Sequence, residues 1–208
     1  MMRDLFDKYG CDKGSKHSYE LVYEKDFEKL KNLPINILEI GVLDGKSLKV
    51  WLEYFPNATI YTIDTFERIP HTDVPVLQDP RVIWKDCDST SNKAKDLWND
   101  LKFDIIIDDG LHNSTANMLT FLNFFDKLKV GGGYYVEDVI QHNIVTPKDR
   151  LKGSWKETLP NTFYVRNGSI SNYNSMLETF RKNGKSVFIY DLREPSDHID
   201  SCIIKITK

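Results

Sequence analysis

Gly41, Asp64, Asp86, Asp109 and Glu137 stand 23, 22, 23 and 28 residues apart in this 208-residue chain, and each closes a short apolar run. An interval of that length is about one strand plus one helix. The five marks therefore fall on one edge of a sheet, the edge at which open α/β sheets bind ligands. Two kinds of chemistry are open to them. Asp64 lies about 20 residues beyond a glycine turn, where an acid accepts hydrogen bonds from ribose hydroxyls in NAD or another adenosine compound. Asp86 could accept from an adenine amino group. Asp109, Glu137 and Asp138 make a second group. Three converging carboxylates repel one another unless protonated or neutralised by a cation. An all-oxygen set suits Mg²⁺, Mn²⁺ or Ca²⁺ rather than zinc. His112, three residues past Asp109, stands where an imidazole could take a proton from a hydroxyl beside such an ion. One strand-end acid is often only the cap of the next helix. Five strand-end marks in phase on one edge, four of them acids, are harder to explain that way.

The glycine turn is the stretch around which the other elements fall into place. Glu39 lies at the end of an apolar strand over residues 35–40, Gly41 and Gly45 form the turn, and a helix opens near Lys46 and Ser47. Glycine lets backbone approach a ligand closely, and a helix start offers free N–H groups. The spacing G-x-x-x-G is not the dinucleotide fingerprint G-x-G-x-x-G.

The elements that must position these residues follow from periodicity. Residues 3–9 read as a short helix and 18–31 as a longer one, with Tyr19, Val22, Tyr23, Phe27 and Leu30 on one face. Leu48, Trp51, Leu52 and Phe55 recur at i, i+3, i+4, i+7. Strands are expected over 58–64, 81–85 and 103–109, the last an isoleucine run bounded by acids, as in a parallel strand buried on both faces. Residues 65–80 read as a loop. Ala94, Leu97, Trp98 and Leu101 predict another helix. A further helix carries Met118, Phe121, Leu122, Phe125 and Leu128 and ends before Gly131, Gly132 and Gly133, after which a fifth strand covers 134–138. Tyr173, Met176, Leu177 and Phe180 mark a last helix, closed by Gly184 as its C′ residue. Strands over 186–192 and 201–207 are joined by about nine residues, too few for a crossover helix, so they must be antiparallel. The sum is an α/β fold: a Rossmann-like, doubly wound sheet of about seven strands, mostly parallel, with an antiparallel C-terminal hairpin on the sheet edge. The length suits one domain, 1–208.

Composition narrows the partners. With 28 basic and 31 acidic residues the formal net charge is −3, which gives no electrostatic case for nucleic acid. No apolar run is long enough to span a bilayer, and residues 1–10 are too charged for a secretory signal. Cys11, Cys87 and Cys202 lack metal-ligand spacing and read as thiols of a reducing, cytoplasmic compartment. Residues 9–19, with two glycines and many polar side chains, read by composition alone as a solvated N-terminal arm.

The Glu39-Ile-Gly41 motif, Asp64, Asp86, a strand after three glycines and a closing antiparallel pair together resemble a class I S-adenosylmethionine-dependent methyltransferase. A narrower likeness is more informative. DKYGCDKGSKHSY at 7–19, IDDGLH at 107–112 and YVED at 135–138 resemble the metal-dependent sugar O-methyltransferases of macrolide and related glycoside biosynthesis, with the cephalosporin hydroxylase-like group as a more distant relative. The resemblance implies S-adenosylmethionine and Mg²⁺ (or Mn²⁺) as cofactors. It implies Asp109, Glu137 and Asp138 as metal ligands and His112 as general base. It also reverses the reading of the N-terminal arm: residues 1–34 would cover the cofactor, with Tyr9, Lys13, His17 and Tyr19 on its side. Glu39, Gly41, Gly45, Ser47, Asp64, Asp86 and Asp108 would complete the cofactor site within a core of 35–138. Residues 139–208 would supply a substrate loop, a helix and the hairpin. Leu111 stands where such enzymes commonly carry a small polar residue. The acceptor implied is a small-molecule glycoside or a glycan, selected by residues 66–80 and 139–170, with Tyr134, Tyr135, Trp155 and Tyr164 as candidates to stack on a sugar. No membrane partner is implied, and a homo-oligomer is left open. Three rival readings stand beside this one: a catechol-type phenol O-methyltransferase, which would typically use a lysine base; a nicotinamide-binding oxidoreductase; and a non-catalytic adenosine-binding module.

Overall fold

Ile105, Ile106 and Ile107 sit at the centre of the molecule, and their alternation sorts its core into two. The computed structural model describes residues 1–139, 170–196, 198 and 200–208. Its strands are β1 (Asn36–Ile40), β2 (Thr59–Asp64), β3 (Val82–Asp86), β4 (Phe103–Asp108), β5 (Leu128–Val136), β6 (Ser186–Asp191) and β7 (Cys202–Thr207). They form one sheet in the order β3-β2-β1-β4-β5-β7-β6. The first five run parallel, and β7 is antiparallel to both β5 and β6. The α-helices of the described residues are α1 (Met2–Tyr9), α2 (Asp12–Ser15), α3 (Glu20–Phe27), α4 (Lys46–Tyr54), α5 (Asn92–Lys95), α6 (Ser114–Phe124), α7 (Ile170–Asn183) and α8 (Arg193–Ser196).

Successive side chains on a strand point to opposite faces. Ile37, Ile105 and Ile107 accordingly pack with Phe6, Phe27 and Trp51, beneath α1, α3 and α4. Leu38, Ile40 and Ile106 pack with Phe121, Phe124 and Phe180, beneath α6 and α7. Each such side chain is essentially fully buried, worth roughly 1.5–3 kcal/mol apiece before entropy is counted. Trp51 is the hub of the first face, with Phe6 at 5.8 Å and Tyr23 at 5.7 Å edge-on to its ring.

The doubly wound sheet and its antiparallel close are as the sequence predicts, with β6 outermost and β7 inserted beside β5. Four local expectations are corrected. The three glycines do not punctuate the chain before β5 but lie inside it. A Cβ on Gly132 would lie 2.8 Å from the Asp104 carbonyl oxygen, and one on Gly133 would lie 2.7 Å from the Tyr135 ring. The β4–β5 register shifts between Phe103 and Ile105, and glycine is the residue that admits such close backbone approach. The helix expected from Ala94 to Leu101 forms only one turn, α5, because Trp98 takes a left-handed φ of 55° and lays its ring against Tyr61 and Phe103. Gly184 does end α7, donating its N–H to Phe180 O at 2.8 Å. It lacks a left-handed φ, and its need for glycine is steric, since a Cβ would lie 2.3 Å from the Ile206 Cγ2. Tyr134 and Tyr135 are core residues donating to Asp108 and Asp26, not surfaces for a sugar. Trp155 and Tyr164, with most of the 139–170 segment, lie outside the described residues. Among the described residues no helix is long and apolar enough to cross a membrane, and no disulfide joins the three cysteines.

Candidate active site

Strand order reverses between β1 and β4, and the two strands leave the sheet there in contact. Gly41 has φ +94°, and a Cβ on it would lie 2.2 Å from the carbonyl oxygen of Asp109. No residue with a side chain fits without moving one of the two turns. Asp64, at the end of β2, braces the glycine turn from the other side. Its Oδ2 accepts the N–H of Val42 at 2.7 Å and that of Leu43 at 3.3 Å, and its Oδ1 accepts that of Phe66 at 2.8 Å. A cavity of about 730 Å³ opens above these strand ends, within the range of a small-molecule or cofactor site. Open α/β sheets place their ligands at such a switch point.

The acids beyond the turn do not simply face one another. Lys13, on α2, reaches down among them. Its Nζ lies 2.5 Å from Asp109 Oδ2, 2.5 Å from Glu137 Oε2 and 3.6 Å from Glu39 Oε1. Lys13 is buried, as are Glu39 and Glu137. Burial alone would strip the ammonium of its proton, but the charges of Asp109, Glu137 and Glu39 hold it well above the ordinary lysine range. Burial likewise pushes Glu137 up, with Lys13 pulling it back. Lys13 is thus held in its ammonium form against these acids. Glu39 is raised by burial to about 7, against the pull of Lys13. Its Oε2 accepts from Ser47 Oγ and Trp51 Nε1, both at 3.0 Å.

Two tyrosines one helical turn apart carry the acid pair after β5. The Tyr19 hydroxyl donates to Asp138 Oδ1 at 2.7 Å and accepts the Asp138 N–H at 3.0 Å. The Tyr23 hydroxyl donates to Glu137 Oε1. His17 stacks on Tyr19, with its Nδ1 3.0 Å from Ser201 Oγ and 3.7 Å from Asp138 Oδ1. Burial lowers the affinity of His17 for a proton. Opposite them, His112 Nε2 is 3.6 Å from Asp109 Oδ1 and 3.8 Å from Asp138 Oδ2. Those distances are too long for hydrogen bonds and suit groups that share a third partner. Asp109, His112 and Asp138 each offer a ligand atom within 4.8 Å of the others. His112 and Asp138 both have left-handed backbone, φ 52° and 53°, a conformation that costs a non-glycine residue about 1–3 kcal/mol and concentrates at functional sites.

The cavity wall thus gathers Lys13, His17, Gly41, Ser47, Asp64, Asp109, His112, Glu137 and Asp138. Glu39, Tyr19 and Asp108 stand behind that wall. Asp108 accepts from Asn117 Nδ2 at 3.2 Å and Tyr134 Oη at 3.4 Å, and burial raises it to about 6. Gly45 faces Val74 and Val76. Asp86 and Tyr9 are not brought to the cavity. Where Asp86 was expected, the loop after β3 presents Cys87, Asp88, Ser89 and Thr90. Tyr9 donates to Glu53 Oε2 at 2.5 Å on the outer side of α1. Asp88 and Tyr23 were not foreseen as site residues. Tyr23 could have been, since it lies four residues beyond Tyr19 on the same helical face. Asp88 carries no signal beyond its place after a strand.

No protein-family model matches the chain. Among curated proteins it is 31% identical over 141 residues to 8-demethyl-8-alpha-L-rhamnosyl tetracenomycin-C 2'-O-methyltransferase of Streptomyces olivaceus, covering 64% of this chain and 36% of that one. It is 28% identical over 146 residues to mycinamicin VI 2''-O-methyltransferase of Micromonospora griseorubida, covering 66% and 36%. The chain spans just over a third of the length of these relatives. Among solved structures it matches the MycE methyltransferase of the mycinamycin pathway, in complex with Mg, SAH and mycinamycin VI, at TM-score 0.69 and 20% identity, covering 100% of this chain and 54% of that one. It matches SAH-bound methyltransferase PaMTH1 of Podospora anserina at TM-score 0.67 and 16% identity, covering 99% and 86%. The motif resemblance to sugar O-methyltransferases is therefore borne out in the relatives, and the methyltransferase fold in the structures.

Gly41→Ala should press its Cβ into Asp109 O, lower thermal stability by roughly 1–3 kcal/mol and abolish nucleoside binding. Unfolding and ligand titration check both. Asp108 is less acidic when folded than its usual 3.8, so the fold disfavours its charge and stability falls as pH rises from about 4 to about 6. Asp108→Asn removes that loss. Its melting temperature relative to the parent should rise between pH 4.5 and pH 8, by the equivalent of roughly 1–3 kcal/mol. A constant difference would count against the assignment.

Proposed function

We propose that the chain is an S-adenosylmethionine-dependent, Mg²⁺- or Mn²⁺-dependent O-methyltransferase acting on a sugar hydroxyl of a small-molecule glycoside or a glycan. The observation that carries this reading is a single cavity in which the Gly41 turn and Asp64 lie beside Asp109, His112, Glu137 and Asp138. A nucleoside-shaped seat and an acid cluster share one wall. The relatives named above support the sugar acceptor, since one is named for 2'-O-methylation of a rhamnosyl tetracenomycin and the other for 2''-O-methylation of mycinamicin VI.

The residues fit a hard divalent ion. Asp109, Glu137 and Asp138 supply oxygen donors, and Asp109 and Asp138 with His112 already converge within 4.8 Å. Held there, the ion would lower the pKa of an acceptor hydroxyl beside it. The remaining steps belong to the protein. His112 Nε2 takes the proton as the O–H bond breaks. The acceptor oxygen bonds the methyl carbon while the carbon–sulfur bond breaks, leaving a methyl ether and S-adenosylhomocysteine. Alignment of the hydroxyl with the sulfonium methyl by the shared wall supplies much of the rate. Leu43 and Leu111, both exposed at the cavity wall, offer an apolar aglycone a surface. The chain's three free cysteines fit a reducing compartment such as the cytoplasm, and a homo-oligomer is compatible with this reading.

The rivals fare less well. A lysine base of the catechol type is unsuited to this site, because Lys13 is held as an ammonium by three carboxylates. A nicotinamide site would lack the G-x-G-x-x-G turn, and an idle adenosine-binding module gives no reason to gather these acids.

Calorimetric titration should give binding of S-adenosylhomocysteine and none of NAD. NAD binding alone would overturn the methyltransferase reading. On an acceptor found among deoxysugar glycosides with Mg²⁺, His112→Ala should lower kcat by about 10²–10⁴-fold while S-adenosylhomocysteine affinity stays within about twofold. Unchanged turnover would remove His112 as the base.

A further inference from the structure

The ammonium of Lys13 occupies the carboxylates that a divalent ion needs. Asp109 Oδ2 and Glu137 Oε2 each lie 2.5 Å from its Nζ, so both are engaged by a full positive charge already. The second oxygen of Glu137 accepts from Tyr23. Glu137 is not one of the residues whose ligand atoms lie within 4.8 Å of one another, Asp109, His112 and Asp138. Glu39 is placed differently. Its Oε1 is buried without a hydrogen-bond partner among the described residues, and it lies 3.6 Å from the same Nζ. It stands just beyond bonding range, and a buried carboxylate oxygen without a donor is costly. Lys13 thus lies against Asp109 and Glu137, which line the cavity, and against Glu39, which stands behind its wall.

Building on the metal reading above, we propose that Lys13 is a built-in counter-ion with two stations. Without a divalent ion its ammonium holds Asp109 and Glu137. When the ion binds there, the ammonium withdraws to Glu39 Oε1 and satisfies it. No covalent bond is made or broken: the carboxylates exchange one cation for another, and any proton on Glu39 passes to solvent as the ammonium arrives. The move closes the 3.6 Å contact to Glu39 into a hydrogen bond and lengthens the two 2.5 Å contacts to Asp109 and Glu137, by rotation of the flexible lysine stem. Because Lys13 also lines the cofactor cavity, loading the ion would reset that wall.

The test is a double-mutant cycle of Lys13→Met and Glu39→Gln, read as Mn²⁺ affinity by calorimetry. Lys13→Met removes the competitor and should tighten Mn²⁺ binding about tenfold or more. Glu39→Gln removes the second station and should weaken it about tenfold while Lys13 is present, yet change it less than about twofold in the Lys13→Met background. The same factor in both backgrounds would mean that Glu39 acts on the ion through its charge alone, and would overturn the exchange. So would unchanged affinity in Lys13→Met. If Lys13→Met folds only with metal, both backgrounds are purified with Mn²⁺ and the cycle is read by chelator competition. Failure of Mn²⁺ to bind the unaltered protein would overturn the metal reading itself, and the exchange with it.

Discussion

The carboxyl edge of this sheet depends on one buried ammonium. Parallel pairing of β1, β4 and β5 brings Glu39, Asp109 and Glu137 to adjacent strand ends, and none of the three can move away from the others without breaking the sheet. Ionised acids held that closely repel, and burial multiplies the penalty. A cation supplied from outside the sheet resolves the conflict, and Lys13 supplies it from 96 residues before Asp109 and 124 before Glu137. Buried pairs of this kind seldom add net stability, because two charges must be desolvated to form them. What they impose is position. Lys13 fixes the segment from α1 to α3 over the strand ends, so that a stretch composed like a solvated arm becomes one wall of a cavity.

The two tyrosines complete that wall by helical geometry. Tyr19 and Tyr23 are four residues apart, so they lie on one face. Each takes one member of the Glu137–Asp138 pair. Adjacent residues at a strand end would normally point to opposite sides. Asp138 escapes that alternation through its left-handed backbone, and both carboxylates reach the same cavity. The strain at Asp138 is thus compensated by its own N–H bonding to Tyr19, and the strained His112 faces it across the same gap.

The parts of this architecture legible in the sequence were those set by short-range pattern. Isoleucine runs, strand-end acids in phase and a loop too short for a crossover predict the sheet, its parallel body and its antiparallel close. Composition misled where long-range contact overrides local preference. Three glycines looked like a turn, yet they lie within β5, where Asp104 and Tyr135 leave no space for a Cβ at Gly132 and Gly133. A helical period from Ala94 to Leu101 stops after one turn because Trp98 gains more by covering Tyr61 and Phe103. Asp86 had the right interval but the wrong rotation, since the cavity meets the loop beyond it. Lys13 and His17 became legible only through the resemblance, as polarity alone places such residues in water.

The contact between Gly41 and Asp109 binds the halves of the cavity together. The first residue after β1 and the first after β4 touch through backbone, and Asp109 N–H donates to Ile40 O at 2.9 Å. A ligand seated on the glycine turn and an ion held by Asp109 would press on opposite sides of that same contact. Neither turn can relax alone, because packed interiors yield in discrete rearrangements and not by gradual deformation. His112 leaves the strand only three residues later, so its imidazole inherits the position that this contact sets. Substitution at Gly41 would therefore disturb the acid cluster as directly as it disturbs the nucleoside seat, although Gly41 carries no side chain of its own.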